Sequence, residues 1–131
     1  MSRTYEFLKE CGTFYLLTVK GDHPAGRPFG AVMEYEGSLY FATSKNKEVC
    51  AQVMANPFVQ IVALKPGTRQ WIRVDGRAEE CRNLAVKRRM LEECPVLLKH
   101  FCDESDQNYI LLRLTEGKAL FCTDAGKEPV D

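Results

Sequence analysis

Apolar positions along the chain switch between helical and alternating spacing, and the switches mark the elements. Tyr5, Phe7, Leu8 and Cys11 share one helical face, which predicts a short amphipathic helix over 4–11, stopped by Gly12. Residues 13–20 (TFYLLTVK) are aromatic and branched and predict a strand. Residues 21–26 (GDHPAG) have turn composition. A second strand is predicted over 27–35 (RPFGAVMEY), then a turn at Glu36-Gly37 and a third strand from Leu39. The short connections make these three strands an antiparallel meander.

The pattern changes most sharply within Leu39-Tyr40-Phe41-Ala42-Thr43-Ser44-Lys45-Asn46-Lys47. Tyr40, Phe41 and Thr43 favour pleated backbone. From Lys45 to Ala55, Val49, Cys50, Val53 and Met54 fall at helical spacing. Ser44 or Asn46 is expected to cap this helix, and Asn56-Pro57 to end it. A strand thus runs into a helix N-terminus that carries two hydroxyls and two lysines. Free backbone N–H groups and the positive end of the helix dipole favour an anion there, phosphate above all. Lys45 and Lys47 add point charges. A plain capped surface helix with solvated lysines is the competing reading.

Beyond the helix, residues 58–64 (FVQIVAL) predict a strand, and Pro66-Gly67-Thr68 a turn. Residues 70–80 predict a long strand with Trp71, Arg73 and Asp75 on one face and Ile72 and Val74 on the other. Gly76 inside it implies a bulge or a close approach, and Arg73 and Arg77 read as members of strand-face ion pairs. A helix is predicted over 83–94, with Lys87-Arg88-Arg89 on or near its solvent side, and a second short helix over 96–101. Residues 103–108 read as a loop, and 109–114 with 118–122 as two strands or one interrupted near Glu116-Gly117. Residues 124–131 read as a tail. Many short strands, one central strand–helix junction and few helices indicate a small, mainly β barrel with peripheral helices.

Composition narrows the chemistry. The 131 residues suit one domain, and the net charge of zero argues against a general nucleic-acid or membrane-surface binder. No apolar run reaches the ~20 residues of a membrane helix, and the N-terminus has no signal-like apolar core, so the expected location is the cytoplasm. Six scattered cysteines and two histidines, His23 and His100, lack metal-site spacing; the cysteines are expected to be free thiols. No side chain stands out as a general acid or base, which fits chemistry carried by a cofactor.

Four segments in order carry a resemblance: Arg27-Pro28-Phe29-Gly30-Ala31-Val32, then residues 39–47, then Val53-Met54-Ala55-Asn56-Pro57, then Gln70-Trp71-Ile72-Arg73-Val74-Asp75-Gly76. With the strands after Tyr109, the chain resembles small members of the pyridoxamine 5′-phosphate oxidase-like, FMN-binding split-barrel family over nearly its whole length. The resemblance implies a six-stranded antiparallel split β-barrel that forms a homodimer, with FMN in grooves between the subunits. It implies cofactor binding by Arg27, Pro28, Phe29 and Gly30, by Ala42, Thr43 and Ser44, and by Lys45 or Lys47 at the phosphate. Trp71 would reach the flavin from the partner subunit. The tail from Phe121 lacks the tryptophan, arginine and histidine with which the name-giving enzyme holds its substrate, so pyridoxamine phosphate oxidation is not expected.

Two functions then compete. One is an FMN-dependent oxidoreductase that takes hydride from NAD(P)H and reduces a small acceptor such as a quinone, a nitro compound or free flavin. The other is a non-catalytic flavin or haem binder acting in storage or sensing. An oligonucleotide-binding barrel would need basic residues interleaved with exposed aromatics, and the neutral charge counts against it.

Overall fold

The computed structural model describes residues 1–130. The elements are α1 (Ser2–Cys11), β1 (Phe14–Lys20), β2 (His23–Phe29), β3 (Met33–Tyr35), β4 (Ser38–Ser44), α2 (Glu48–Ala55), β5 (Phe58–Leu64), β6 (Trp71–Cys81), α3 (Leu84–Glu93), a 3₁₀ segment (Pro95–Lys99), β7 (Tyr109–Thr123) and β8 (Gly126–Val130). All strand pairs are antiparallel, in the order β2-β1-β5-β6-β7-β4-β3, with β8 also on β7. The fold is mainly β with flanking helices, as expected, but the sheet has eight strands rather than six. Its two edge strands, β2 and β3, are joined by residues 30–32 alone. So short a link holds the edges within roughly 13 Å, at 3.3–3.6 Å per extended residue. The sheet therefore curls almost onto itself without closing, which is the geometry of a split barrel.

The differences from the sequence reading have local causes. Turn-like residues 23–26 belong to β2, because an edge strand tolerates Pro24 and Gly26. The predicted strand 27–35 is two strands, β2 and β3, since the chain leaves one sheet edge at Gly30 and joins the other at Met33. The tail forms β8 as a hairpin with the end of β7; Asp131 lies outside the described residues. The segment predicted as a helix over 96–101 is the 3₁₀ turn that Pro95 opens. Lys87 is a correction of another kind. It is buried, its Nζ donates to the Tyr109 carbonyl at 2.8 Å, and the Tyr109 hydroxyl donates back to the Lys87 carbonyl at 2.9 Å. That reciprocal pair clamps α3 onto β7.

Gly76 satisfies both expectations for it. The β6–β7 register shifts beside it, and an added Cβ would meet Leu114 Cδ1 at 2.6 Å and the Thr115 carbonyl at 2.9 Å. Arg77 pairs with Glu116 at 3.4 Å, whereas Arg73 makes no ion pair among the described residues and lies over the Trp71 ring at 5.9 Å.

Two apolar cores lie on opposite faces of β4. Leu39 and Phe41 point into the first, with Phe14, Ile61, Ile72 and residues of α1 and α2. Tyr40 points into the second, with Met33, Leu111, Met90, Leu97 and Phe101 under α3 and the 3₁₀ segment. Strand β4 can serve both because its side chains alternate. Its C-terminal end, Thr43-Ser44, emerges where the two cores meet.

Candidate functional site

A cleft of about 390 Å³ opens at the split of the sheet. Arg27, Pro28, Phe29 and Gly30 at the end of β2 form one side, and Ala42, Thr43 and Ser44 at the end of β4 form another. Lys47 and Val49 bring in the start of α2. Eight of the ten residues singled out from sequence thus meet in one place. The other two do not line the cleft: Lys45 sits in the preceding turn, where its backbone N–H donates to the Asn108 carbonyl at 2.9 Å, and Trp71 lies on β6, paired with Leu64 and Cys122.

The polar end is built by the strand–helix junction. Helix α2 begins at Glu48, later than expected, and its N-cap is Lys47, not Ser44 or Asn46. The cause is a tight turn in which the Lys47 N–H donates to the Ser44 carbonyl at 3.0 Å. The helix then starts with the Cys50 N–H on the Lys47 carbonyl at 3.1 Å, and no side chain caps it. The N–H groups of Glu48 and Val49 are left for an anion or water. Thr43 is 7% exposed, and its hydroxyl has no hydrogen-bond partner among the described residues; nor has that of Ser44. Glu34 Oε2 is the one buried side-chain polar atom without a hydrogen-bond partner among the described residues, so the Thr43 hydroxyl is open to the cleft and available to a ligand there.

Arg27 reaches inward rather than lying free. Its Nη1 donates to the Leu16 carbonyl at 3.1 Å and to Thr18 Oγ1 at 2.9 Å, and its Nη2 donates to Gln52 Oε1 at 2.7 Å. Thr18, also on Gln52 Oε1, and Gln52 itself are both buried. A guanidinium has five N–H bonds, so two remain for a ligand. Burial lowers the Arg27 pKa and nearby Glu48 opposes the shift, yet the group stays cationic at neutral pH.

The remaining wall was not legible in sequence. Val96, Leu97, His100 and Phe101, from the 3₁₀ segment and the residues after it, close the cleft opposite Pro28 and Phe29, and Ala31 completes the floor. Their apolar spacing is visible along the chain, but nothing local says that this segment folds over the split of a distant sheet. His100 brings an imidazole to the cleft with no side-chain hydrogen bond among the described residues. The arrangement offers one locus suited to an anion, an apolar slot and few titratable groups. No group of three or more His, Cys, Asp or Glu that could hold a metal occurs among the described residues.

The sequence model of the pyridoxamine 5′-phosphate oxidase family matches residues 3–120. A NimC/NimA family protein from Clostridium acetobutylicum is 40% identical, with a TM-score of 0.92 over 98% of this chain and 90% of that one. At 16% identity and a TM-score of 0.64, the chain shares its fold with a pyridoxamine 5′-phosphate oxidase-related, FMN-binding protein from Nostoc punctiforme, covering 98% of this chain and 90% of that one. It also shares it with the haem storage protein HutZ from Vibrio cholerae, at 18% identity and a TM-score of 0.68 over 86% of this chain and 87% of that one. No curated protein matches the chain. With the family pattern spanning residues 3–120, and the β2 and β4 sides of the cleft built from residues that carried the resemblance, the chain belongs to the pyridoxamine 5′-phosphate oxidase family.

Proposed function

We propose that the chain binds FMN in the cleft at the split of the sheet and acts as an oxidoreductase that passes hydride from NAD(P)H to a small acceptor. The observation that carries this reading is the unpartnered Thr43 hydroxyl, open to the cleft beside Ser44, Lys47 and the uncapped start of α2. A phosphate oxygen satisfies that hydroxyl, the free N–H groups and the lysine together. The apolar slot between Phe29, Ala42, Val96 and Phe101 accepts a flat ring. When bound, FMN takes up hydride and hands its electrons on. The two free N–H bonds of Arg27 supply polarity at the slot while its other bonds hold β2 against α2.

The cleft of a single chain is open, and the outer face of β1, β5 and β6 presents exposed apolar side chains among polar ones such as Gln60, Arg73 and Asp75. Tyr15, Val62 and Arg73 form one cross-strand row, Leu64 and Trp71 the next, and Tyr15 and Leu64 are more than half exposed. In the proposed homodimer this face meets a second copy and Trp71 approaches the partner's flavin. The proposed location is the cytoplasm; no helix among the described residues is long and apolar enough to cross a membrane, and all six cysteines are free thiols. The proposal does not extend to pyridoxamine phosphate oxidation, because residues 121–130 contain no tryptophan, arginine or histidine.

The test is optical. Purified protein mixed with FMN should stay yellow after desalting and bleach under NADH or NADPH without oxygen. A colourless protein after desalting excludes the flavin; a yellow protein that neither nucleotide bleaches leaves a binder without reductase activity. One observation favours a haem reading instead: His100 places an imidazole, a common axial ligand of haem iron, in the cleft. Haem that binds more tightly than FMN, with an absorption band lost in His100→Ala, selects that reading.

A further inference from the structure

A second cleft, of about 400 Å³, lies on the other side of α3. Its floor is one cross-strand row. Glu79 of β6 pairs with Arg113 of β7, and Arg113 pairs with Tyr40 of β4. Paired residues point to the same face, about 5 Å apart at Cβ. Glu36, in the turn before β4, and Tyr35 close one end; Glu80 and the start of α3 close the other.

Four features mark this as a built site. Tyr40 is 6% exposed, and its hydroxyl has no hydrogen-bond partner among the described residues. Tyr40 lines the cleft together with Cys81, Arg113, Glu36 and Tyr35. Arg113 commits only its Nε, to Ser38 Oγ at 3.2 Å, which leaves both terminal nitrogens free. Glu36 and Glu79 form no hydrogen bond or ion pair among the described residues, whereas Glu80 is paired with Arg82 at 3.3 Å. The uncompensated groups are therefore two carboxylates and one guanidinium, with a phenol donor beside them.

We propose that this second cleft binds a small amino acid with a cationic side chain, its carboxylate on Arg113 and Tyr40 and its two ammonium groups on Glu79 and Glu36. A molecule with one carboxylate and two cations balances the lining one for one. The adjacent Glu79 and Arg113 suit the adjacent ammonium and carboxylate of an α-amino acid. The site is separate from the flavin cleft and does not depend on it.

The test is an NMR titration of the whole chain with L-lysine, read at backbone amides. Saturable shifts are expected at Glu36, Tyr40, Glu79 and Arg113, with none of that size at Thr43–Lys47. Cadaverine lacks the carboxylate and L-norleucine lacks the side-chain cation, so each should bind about tenfold more weakly, the scale of one charge-assisted bond. Arg113→Met, at an exposed position, should remove the preference for lysine over cadaverine, and Tyr40→Phe should weaken lysine with the fold intact. Shifts that stay linear in lysine, equal binding of cadaverine, or unchanged lysine affinity in folded Arg113→Met overturns the proposal.

Discussion

Arg27 Nη2 donates to Gln52 Oε1 at 2.7 Å, which ties the β2 side of the cleft to the helix whose first turn lines it. The two walls are thus one mechanical unit, and an arginine read from sequence as a ligand donor is in part a strut. Gln52→Leu removes the acceptor shared by Arg27 and the buried Thr18 hydroxyl. It should destabilise the chain by about 1–3 kcal/mol, the cost of leaving buried donors unpaired. It should also weaken FMN, though Gln52 does not line the cleft. Urea unfolding and FMN fluorescence quenching measure the two effects; loss of stability without loss of affinity would show that the strut does not serve the site.

The two lysines should separate. Lys47 lines the cleft and Lys45 does not. Lys47→Ala should weaken FMN by about 1.5–3 kcal/mol, as for a lost charged hydrogen bond. Lys45→Ala should fall within about 0.5 kcal/mol, as for a surface charge. Equal losses in the two variants contradict the placement.

Thr43→Val tests the site by opposite signs. It removes a hydroxyl that has no partner in the fold and keeps the shape, so the ligand-free chain should hold or gain stability in thermal unfolding. FMN affinity should fall about tenfold. A drop in stability of the free chain would mean that the hydroxyl has a partner in the fold.

Gly76→Ala places a methyl against Leu114 and the Thr115 carbonyl. Overpacking of this kind costs about 1–3 kcal/mol, and the carbonyl cannot rotate away. The urea midpoint should fall accordingly; an unchanged midpoint means that the β6–β7 bulge yields freely.

Stability should decline in alkali. Burial raises the pKa of Tyr109 and of the Cys11, Cys50 and Cys94 thiols above their ordinary values. As pH rises, the unfolded chain gives up these protons first and the folded chain holds them, so stability falls with pH. It is intact below the ordinary thiol value of 9.0 and lost progressively above it. Tyr109→Phe should lose less between about pH 10 and pH 12, above the ordinary tyrosine value. A parallel decline in both proteins would remove Tyr109 from this account.

Much of the fold was legible because its signals are local. Alternation fixed the faces of β6, and the strand-to-helix switch after Thr43 marked residues that line the cleft. What failed needed distant partners. Residues 23–26 look like a turn until β2 is known to be an edge strand, and Lys87 looks solvated until Tyr109 is seen to bond it at both ends. The 3₁₀ wall carrying His100 and Phe101 is invisible for the same reason: its partner, the end of β2, is more than sixty residues earlier in the chain.

The central claim is that this cleft holds FMN and that a second copy of the chain completes it. Sedimentation of the protein with and without FMN across a dilution series, with flavin absorbance followed in the same cell, tests it most directly. The account predicts one FMN per chain sedimenting with a dimer that FMN stabilises against dilution, by mass action. A monomer that keeps stoichiometric FMN at low concentration, or a dimer that binds none, contradicts it.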